Sequence, residues 1–182
     1  MTWRTTGGKD QIVNRKKIRF VAGPWGGSGG ASWDDGVYSG VREIILVYDT
    51  CIDSIRVIYD KHGKIVKGEK HGGVGGSKMA EIKLQLPDEY LVGVSGHYGP
   101  VINSGTPVIT SISFTSNKRT FGPYGVESGT PFVFSSDGAE KIVGFKGRSG
   151  WFLDEIGLYL APAKRPSGLY YRVQQTLKNL VH

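Results

Sequence analysis

Short runs of β-branched and aromatic residues, several with polar residues alternating through them, follow one another along this chain. Glu43–Tyr48, Ser54–Tyr59, Glu81–Leu86 and Ser111–Thr115 are examples, with Gly, Pro, Asn or Asp at their borders. A period of two between turn-forming residues is the mark of half-buried strands, because successive side chains point to opposite faces of a sheet. The runs recur about every 10–15 residues through residue 160, as expected of an all-β sandwich, barrel or prism. No helical period precedes residue 165. Beyond Pro162 and Pro166, however, Leu169, Val173, Leu177 and Leu180 fall at helical spacing. They predict a short amphipathic helix whose apolar stripe is a packing surface, on the body or on a neighbouring subunit.

Internal repetition refines the fold class. Glycine-rich stretches occur at 23–30 (GPWGGSGG), 71–76 (HGGVGG) and 122–129 (GPYGVESG), with starts 48 and 51 residues apart. A second motif recurs as Asp53-Ser54-Ile55-Arg56-Val57, Thr110-Ser111-Ile112-Ser113-Phe114 and Asp154-Glu155-Ile156-Gly157-Leu158. A third appears twice, as Leu91–Gly96 and Ile142–Gly147. Three related units of about 50 residues follow, each supplying about four strands, enough for one Greek-key sheet. Three such sheets around one core make an all-β β-prism of three four-stranded Greek-key sheets with pseudo-threefold symmetry.

Length and charge bound the rest. The 182 residues suit one core. The net charge of +7 is unevenly spread: residues 1–19 sum to +5, residues 163–182 to +4, and the body between them to −2. This divides the chain into a basic N-terminal extension (1–17), a mildly acidic domain (18–162) and a basic C-terminal tail (163–182). Nucleic acid is disfavoured as a partner, because that reading expects a basic face on the folded domain. The basic arms could still touch phosphates or acidic partners nonspecifically. The lone Cys51 cannot pair within the chain, and Met1–Asp10 has no apolar core of the secretory kind, so a cytoplasmic or nucleocytoplasmic home is expected. No apolar run approaches the roughly 20 residues that span a bilayer.

The chemistry-bearing segment is Gly147-Arg148-Ser149-Gly150-Trp151-Phe152-Leu153-Asp154, which joins two strands with glycines at its bends. A carboxylate closing a tight loop suits a sugar. Ionised Asp accepts two hydroxyl hydrogen bonds, while backbone N–H groups donate with no side-chain entropy to lose. A glycine loop from elsewhere adds an N–H where no Cβ could fit. Enzyme chemistry is excluded on several counts. His62, His71, His97 and His182 make no ligand spacing, and Gly-x-Ser-x-Gly is absent. The glycine stretches lack the later glycines of nucleotide loops. Asp154 and Glu155, adjacent on a strand, point to opposite faces, whereas a glycosidase needs convergent carboxylates. No catalytic residue, cofactor or metal is expected.

Taken in order, Gly23–Gly30, Thr120–Gly125 with Gly129–Phe132, and Gly147-Arg148-Ser149-Gly150-x-x-x-Asp154-x-Ile156-Gly157 resemble jacalin-related lectins. The likeness covers roughly residues 18–162. It implies a β-prism with a metal-independent sugar site on the Gly-x-x-x-Asp loop, Gly150, Trp151, Phe152, Leu153 and Asp154. There the Asp154 carboxylate holds the sugar, the N–H groups of Trp151 and Phe152 donate to it, and Gly30 donates from the opposite side. Galactose-specific members are secreted and cut before a glycine of the first loop, whereas this chain runs uncut through Lys16 to Pro24. The resemblance therefore implies the cytoplasmic, mannose/glucose-specific branch, with mannose- or glucose-containing glycans as partners and plant stress or defence as the setting.

The same resemblance raises a second carbohydrate site, with Asp53 as carboxylate, Gly76 as glycine loop, and Thr50 and Cys51 as the intervening loop residues. Its leading glycine is replaced by Asp49, which is expected to block the bend or repel a ligand. Thr110 holds the carboxylate position of the third unit, which is expected to be silent. Tyr98–Pro107 lengthens one connection by seven residues; it is either a surface loop or, as the family implies, a selector of larger glycans. Trp25, Trp33, Tyr124 and Trp151 read as core or edge packing, Cys51 as inert, and Asp34-Asp35 as a turn. Shallow polar sugar sites bind at about millimolar strength, so a homo-oligomer, with a dimer favoured, is expected to multiply them. The competing reading is a protein-interaction module on the same fold that uses its basic termini.

Overall fold

Twelve β-strands and no helix make up the described residues, 20–101 and 105–163, of the computed structural model. The N-terminal extension 1–17 and the helix expected over 169–181 lie outside the described residues. The strands form three antiparallel four-stranded sheets. One runs in the order β1-β12-β11-β2, from β1 (Phe20–Gly26), β12 (Leu153–Pro162), β11 (Glu140–Ser149) and β2 (Ala31–Asp34). The second is β5-β4-β3-β6, from β5 (Lys64–Gly72), β4 (Ile52–Lys61), β3 (Gly40–Tyr48) and β6 (Lys78–Lys83). The third is β10-β7-β8-β9, from β10 (Thr130–Ser135), β7 (Leu91–Pro100), β8 (Pro107–Ser116) and β9 (Thr120–Gly125). This is the expected β-prism.

In each sheet a hairpin forms the two central strands, and another consecutive pair of strands flanks it on both edges. The loop joining the flanking strands must therefore pass over the hairpin's turn. The first sheet takes its edges from one end of the domain and its centre from the other, so its halves lie more than a hundred residues apart. Chain closure, which neither half can supply alone, completes it.

Alternation decides what lies inside. On β3, Ile44 and Leu46 are buried while Ile45 and Val47 are only partly so. The equivalent inward positions of the other sheets, Ile112, Phe114, Phe145, Ile156 and Leu158, complete one core. Phe114 meets Phe145 edge-on, with centroids 6.2 Å apart, an arrangement favoured by the ring quadrupole. Each such side chain contributes about 1.5–3 kcal/mol on burial.

Three local readings need correction. The strand expected over Glu81–Leu86 ends at Lys83. Beyond it the Gln85 N–H donates to the Glu89 carboxylate, at 2.9 Å, and the Glu89 N–H donates back to the Gln85 carbonyl. Pro87, with no N–H to give a ladder, stands inside that turn. Asp34-Asp35 turns only through a side chain: Asp34 ends β2 and its Oδ1 accepts the Gly36 N–H at 2.8 Å, while Asp35 begins an extended link whose N–H groups donate to carbonyls of β11. The Asp35 carboxylate accepts the Tyr59 hydroxyl at 2.6 Å and faces His71 Nε2 at 2.7 Å, tying the first sheet to the second. The described ends of Tyr98–Pro107 prolong the β7–β8 hairpin, with Tyr98 paired to Ile109 and Pro100 to Pro107.

Candidate functional site

The flanking-strand geometry brings two loops of the first sheet together. The loop from β1 to β2 (Gly27–Gly30) crosses the turn from β11 to β12 (Gly150–Phe152), and Asp154, second residue of β12, lies under the crossing. The Gly27 N–H donates to the Asp154 carbonyl at 2.8 Å, which pins the glycine loop at its start. Methyl groups on Gly29 and Gly30 would lie 2.7 and 2.8 Å from Asp154 Oδ1 and Oδ2. Only residues without a Cβ let backbone approach the carboxylate so closely, and Gly30, at φ +64°, also occupies left-handed space. The turn beneath is held by the Gly150 N–H donating to the Phe152 carbonyl at 3.0 Å.

Asp154 is 6% exposed, and its Oδ2 finds no hydrogen-bond partner among the described residues. Burial pushes its carboxyl above the usual aspartate range, while the Gly150 N–H and the Arg148 charge pull against that shift. A buried acceptor left without a donor is costly, and such groups in native structures call for an explanation.

Arg148 was not among the expected site residues. Its Nε donates to the Gly29 carbonyl at 3.0 Å and its Nη2 to the Gly30 carbonyl at 2.8 Å. In a trans peptide the N–H points opposite to the C=O, so holding the Gly29 oxygen turns the Gly30 N–H away from Arg148. A basic residue between two motif glycines was the available signal. Trp151, read as packing, instead stands 86% exposed at the tip of the turn. Phe152 is partly buried and Leu153 fully so, which anchors the turn to the core. The remaining aromatic expectations hold, since Trp25, Trp33 and Tyr124 pack against the core.

The second unit repeats the arrangement. The Gly73 N–H donates to the Asp53 carbonyl at 3.0 Å, and methyl groups on Gly75 and Gly76 would lie 2.8 Å from Asp53 Oδ1 and Oδ2. Asp53 is 5% exposed, and its pKa is raised by burial and then by the Asp49 charge, against the pull of its own N–H. Asp49 does not block the bend. Its N–H donates to the Cys51 carbonyl at 3.1 Å, as Gly150 does in the first turn, and neither Asp49 nor Gly150 has a positive φ. Thr50 is exposed at the tip, and Cys51 is buried with its thiol pushed up to about 12 by burial and by Asp53 and Asp49. That places the thiolate out of reach at neutral pH.

The third unit closes on itself: Thr110 donates its hydroxyl to the Ser128 carbonyl at 2.6 Å. The three loop sets also touch. A side chain on Gly27 would collide with the Pro107 carbonyl, and one on Gly73 with the Trp151 carbonyl. The prolonged β7–β8 hairpin therefore borders the first site, with Thr106 Oγ1 beside Gly29. No group of three His, Cys, Asp or Glu suited to a metal gathers among the described residues, and no described helix could cross a membrane.

This geometry has counterparts. The profile of the Jacalin-like lectin domain matches residues 22–159. Jacalin-related lectin 19 of Arabidopsis thaliana is 66% identical over 149 residues, spanning 82% of this chain and 84% of that protein. A galactose-specific lectin of Morus indica is 45% identical over 159 residues, 84% of this chain and 99% of that protein. Among solved structures, an artocarpin–mannotriose complex superimposes with a TM-score of 0.75 at 48% identity, covering 78% of this chain and 97% of that one. These relatives bear lectin names. With the prism, the repeated loop crossing and the profile match over most of its length in agreement, the chain belongs to the Jacalin-like lectin domain family.

Proposed function

We propose that this protein is a metal-independent carbohydrate-binding lectin of the mannose/glucose type. Its principal site is the crossing of Gly30 over Gly150–Asp154. Two sugar hydroxyls donate to the Asp154 carboxylate, while the N–H groups of Trp151 and Phe152, and of Gly30 from the other side, donate to sugar oxygens. The observation that carries this reading is the Asp154 carboxylate, buried yet with Oδ2 unpartnered among the described residues, beneath glycines whose lack of a Cβ lets the loop backbone close over it. A second, weaker site uses Asp53 and Gly76, with Thr50 and Cys51 supplying the turn.

Identity alone does not choose the sugar, because mannose-binding and galactose-specific relatives lie at similar distances. The mannose/glucose reading is supported by the solved structures similar to this chain, several of which are mannose complexes or are named for mannose. Two such sites per chain, at about −4 kcal/mol each, would act usefully when multiplied in a homo-oligomer, a dimer being the simplest closed form.

The test is a calorimetric or NMR titration of methyl-α-mannoside and of galactose into wild type and Asp154→Ala. Millimolar mannoside binding, weakened more than tenfold in the variant, is expected, with galactose the poorer ligand. Mannoside binding that survives intact in Asp154→Ala would remove the site assignment. Silence toward every sugar would leave the protein-interaction reading.

A further inference from the structure

The two carboxylate pockets match in their cores but not in how their glycine loops are held. In the first, Arg148 grips the Gly29 and Gly30 carbonyls. Strand register puts Val47 in the place of Arg148: Arg148 stands opposite Glu155 on β12, and Val47 opposite Ser54 on β4, each one residue past its buried carboxylate. Valine cannot grip a carbonyl. The second loop is also one residue longer. β2 starts directly after Gly30, whereas Ser77 intervenes between Gly76 and β6. That extra residue is held by Asp49, whose Oδ2 accepts the Ser77 N–H at 2.9 Å and whose Oδ1 accepts the Ser77 hydroxyl at 2.6 Å.

We propose that Asp49, standing where the motif has glycine, is a positioning residue that replaces the Arg148 clamp and keeps the Asp53 pocket competent for sugar. The inference rests on the sugar-binding reading above. The Gly76–Ser77 peptide carries the Ser77 N–H, so the Asp49 carboxylate fixes the orientation of that peptide and, through it, the ψ of Gly76 over Asp53. Arg148 holds its loop through carbonyl oxygens with a cation; Asp49 holds the equivalent loop through donors with an anion. Both clamps are charge-assisted, the stronger class of hydrogen bond. Both carboxylates of Asp49 and Asp53 stay separated in role, because the Ser77 donors occupy Asp49. Glycine at 49 would restore the motif and lose the clamp.

The experiment follows the Gly30 and Gly76 amide signals of the full chain separately during a methyl-α-mannoside titration. In wild type both signals are expected to shift. In Asp49→Ala and Asp49→Gly the Kd read at Gly76 rises about tenfold, while the Kd at Gly30 is unchanged and certifies the fold within the same molecule. Asp49→Asn, whose amide oxygen still accepts from Ser77, holds the Gly76 Kd within about threefold. The proposal is overturned if Asp49→Gly binds at Gly76 as well as wild type or better, which would make Asp49 a bystander or a repellent. It is equally overturned if wild type shifts at Gly30 alone. No shift at either amide overturns the sugar-binding reading itself, and the proposal with it.

Discussion

The Asp154 carboxylate lies directly beneath Gly30: a methyl group there would stand 2.8 Å from Oδ2 and strike the Ser149 carbonyl. The two residues are 124 positions apart in sequence and bound the proposed site. Gly30→Ala is therefore expected to destabilise the fold by about 3 kcal/mol, combining left-handed strain with a backbone collision, and to abolish binding at the first site. Gly36→Ala is the control: its φ of +81° carries the strain, but open space surrounds it. It should cost about 1 kcal/mol and leave sugar affinity unchanged in the same titration.

Acid should weaken sugar binding earlier than an ordinary aspartate would. The acceptor must be ionised to take two hydroxyl donors, and burial raises the Asp154 pKa. Affinity for methyl-α-mannoside is expected to hold at neutral pH and to fall with a midpoint above about 3.9, the unperturbed aspartate value. Titrations at stepped pH with the fold monitored by circular dichroism check this, and a midpoint below that value would contradict it.

Acid stability has a different origin. Glu89 is fully buried, and its carboxyl is held at about 2, first by the Arg119 guanidinium and further by the Gln85 N–H and the Ser116 hydroxyl, against the cost of burial. A depressed carboxylate stabilises the fold above its unfolded pKa, about 4.3, and that contribution fades as pH falls toward the folded value. Wild type should accordingly exceed Glu89→Gln in urea midpoint at pH 7, and the gap should shrink between about pH 5 and pH 2. A constant gap would assign the difference to packing.

Restoring a carboxylate to the third unit should not restore a site. Thr110 donates to the Ser128 carbonyl, and aspartate there would set an anion against that oxygen. Thr110→Asp is expected to destabilise by about 1–3 kcal/mol, the cost of leaving a buried polar group unsatisfied, with no additional sugar bound per chain by calorimetry.

Trp151 separates backbone from side-chain function. Being 86% exposed, it should tolerate Trp151→Ala with a stability change within about 0.5 kcal/mol. Because its N–H is the proposed donor, monosaccharide affinity should stay within about threefold. A large loss would show that the indole itself contacts the ring.

Much of this protein was legible in one dimension because strands obey a period of two and turns need particular residues. Alternation marked β3, β4 and β8, repeated glycine stretches marked the three units, and a carboxylate repeated at Asp53 and Asp154 marked the candidate sites. All are local properties, set by φ/ψ preference and by which face of a sheet meets the core. What the tertiary structure decided was relational. It ended β6 at Lys83, turned Asp35 inward to Tyr59 and His71, and exposed Trp151. It also brought Arg148 onto the Gly29 and Gly30 carbonyls and Asp49 onto Ser77. These contacts join residues from 24 to 119 positions apart, and no local pattern encodes them, because they arise only where separate loops and strands meet in the folded domain. Asp49 shows the difference most plainly: beside its neighbours in sequence it reads as a defect in the motif, and across the loop crossing it is a clamp.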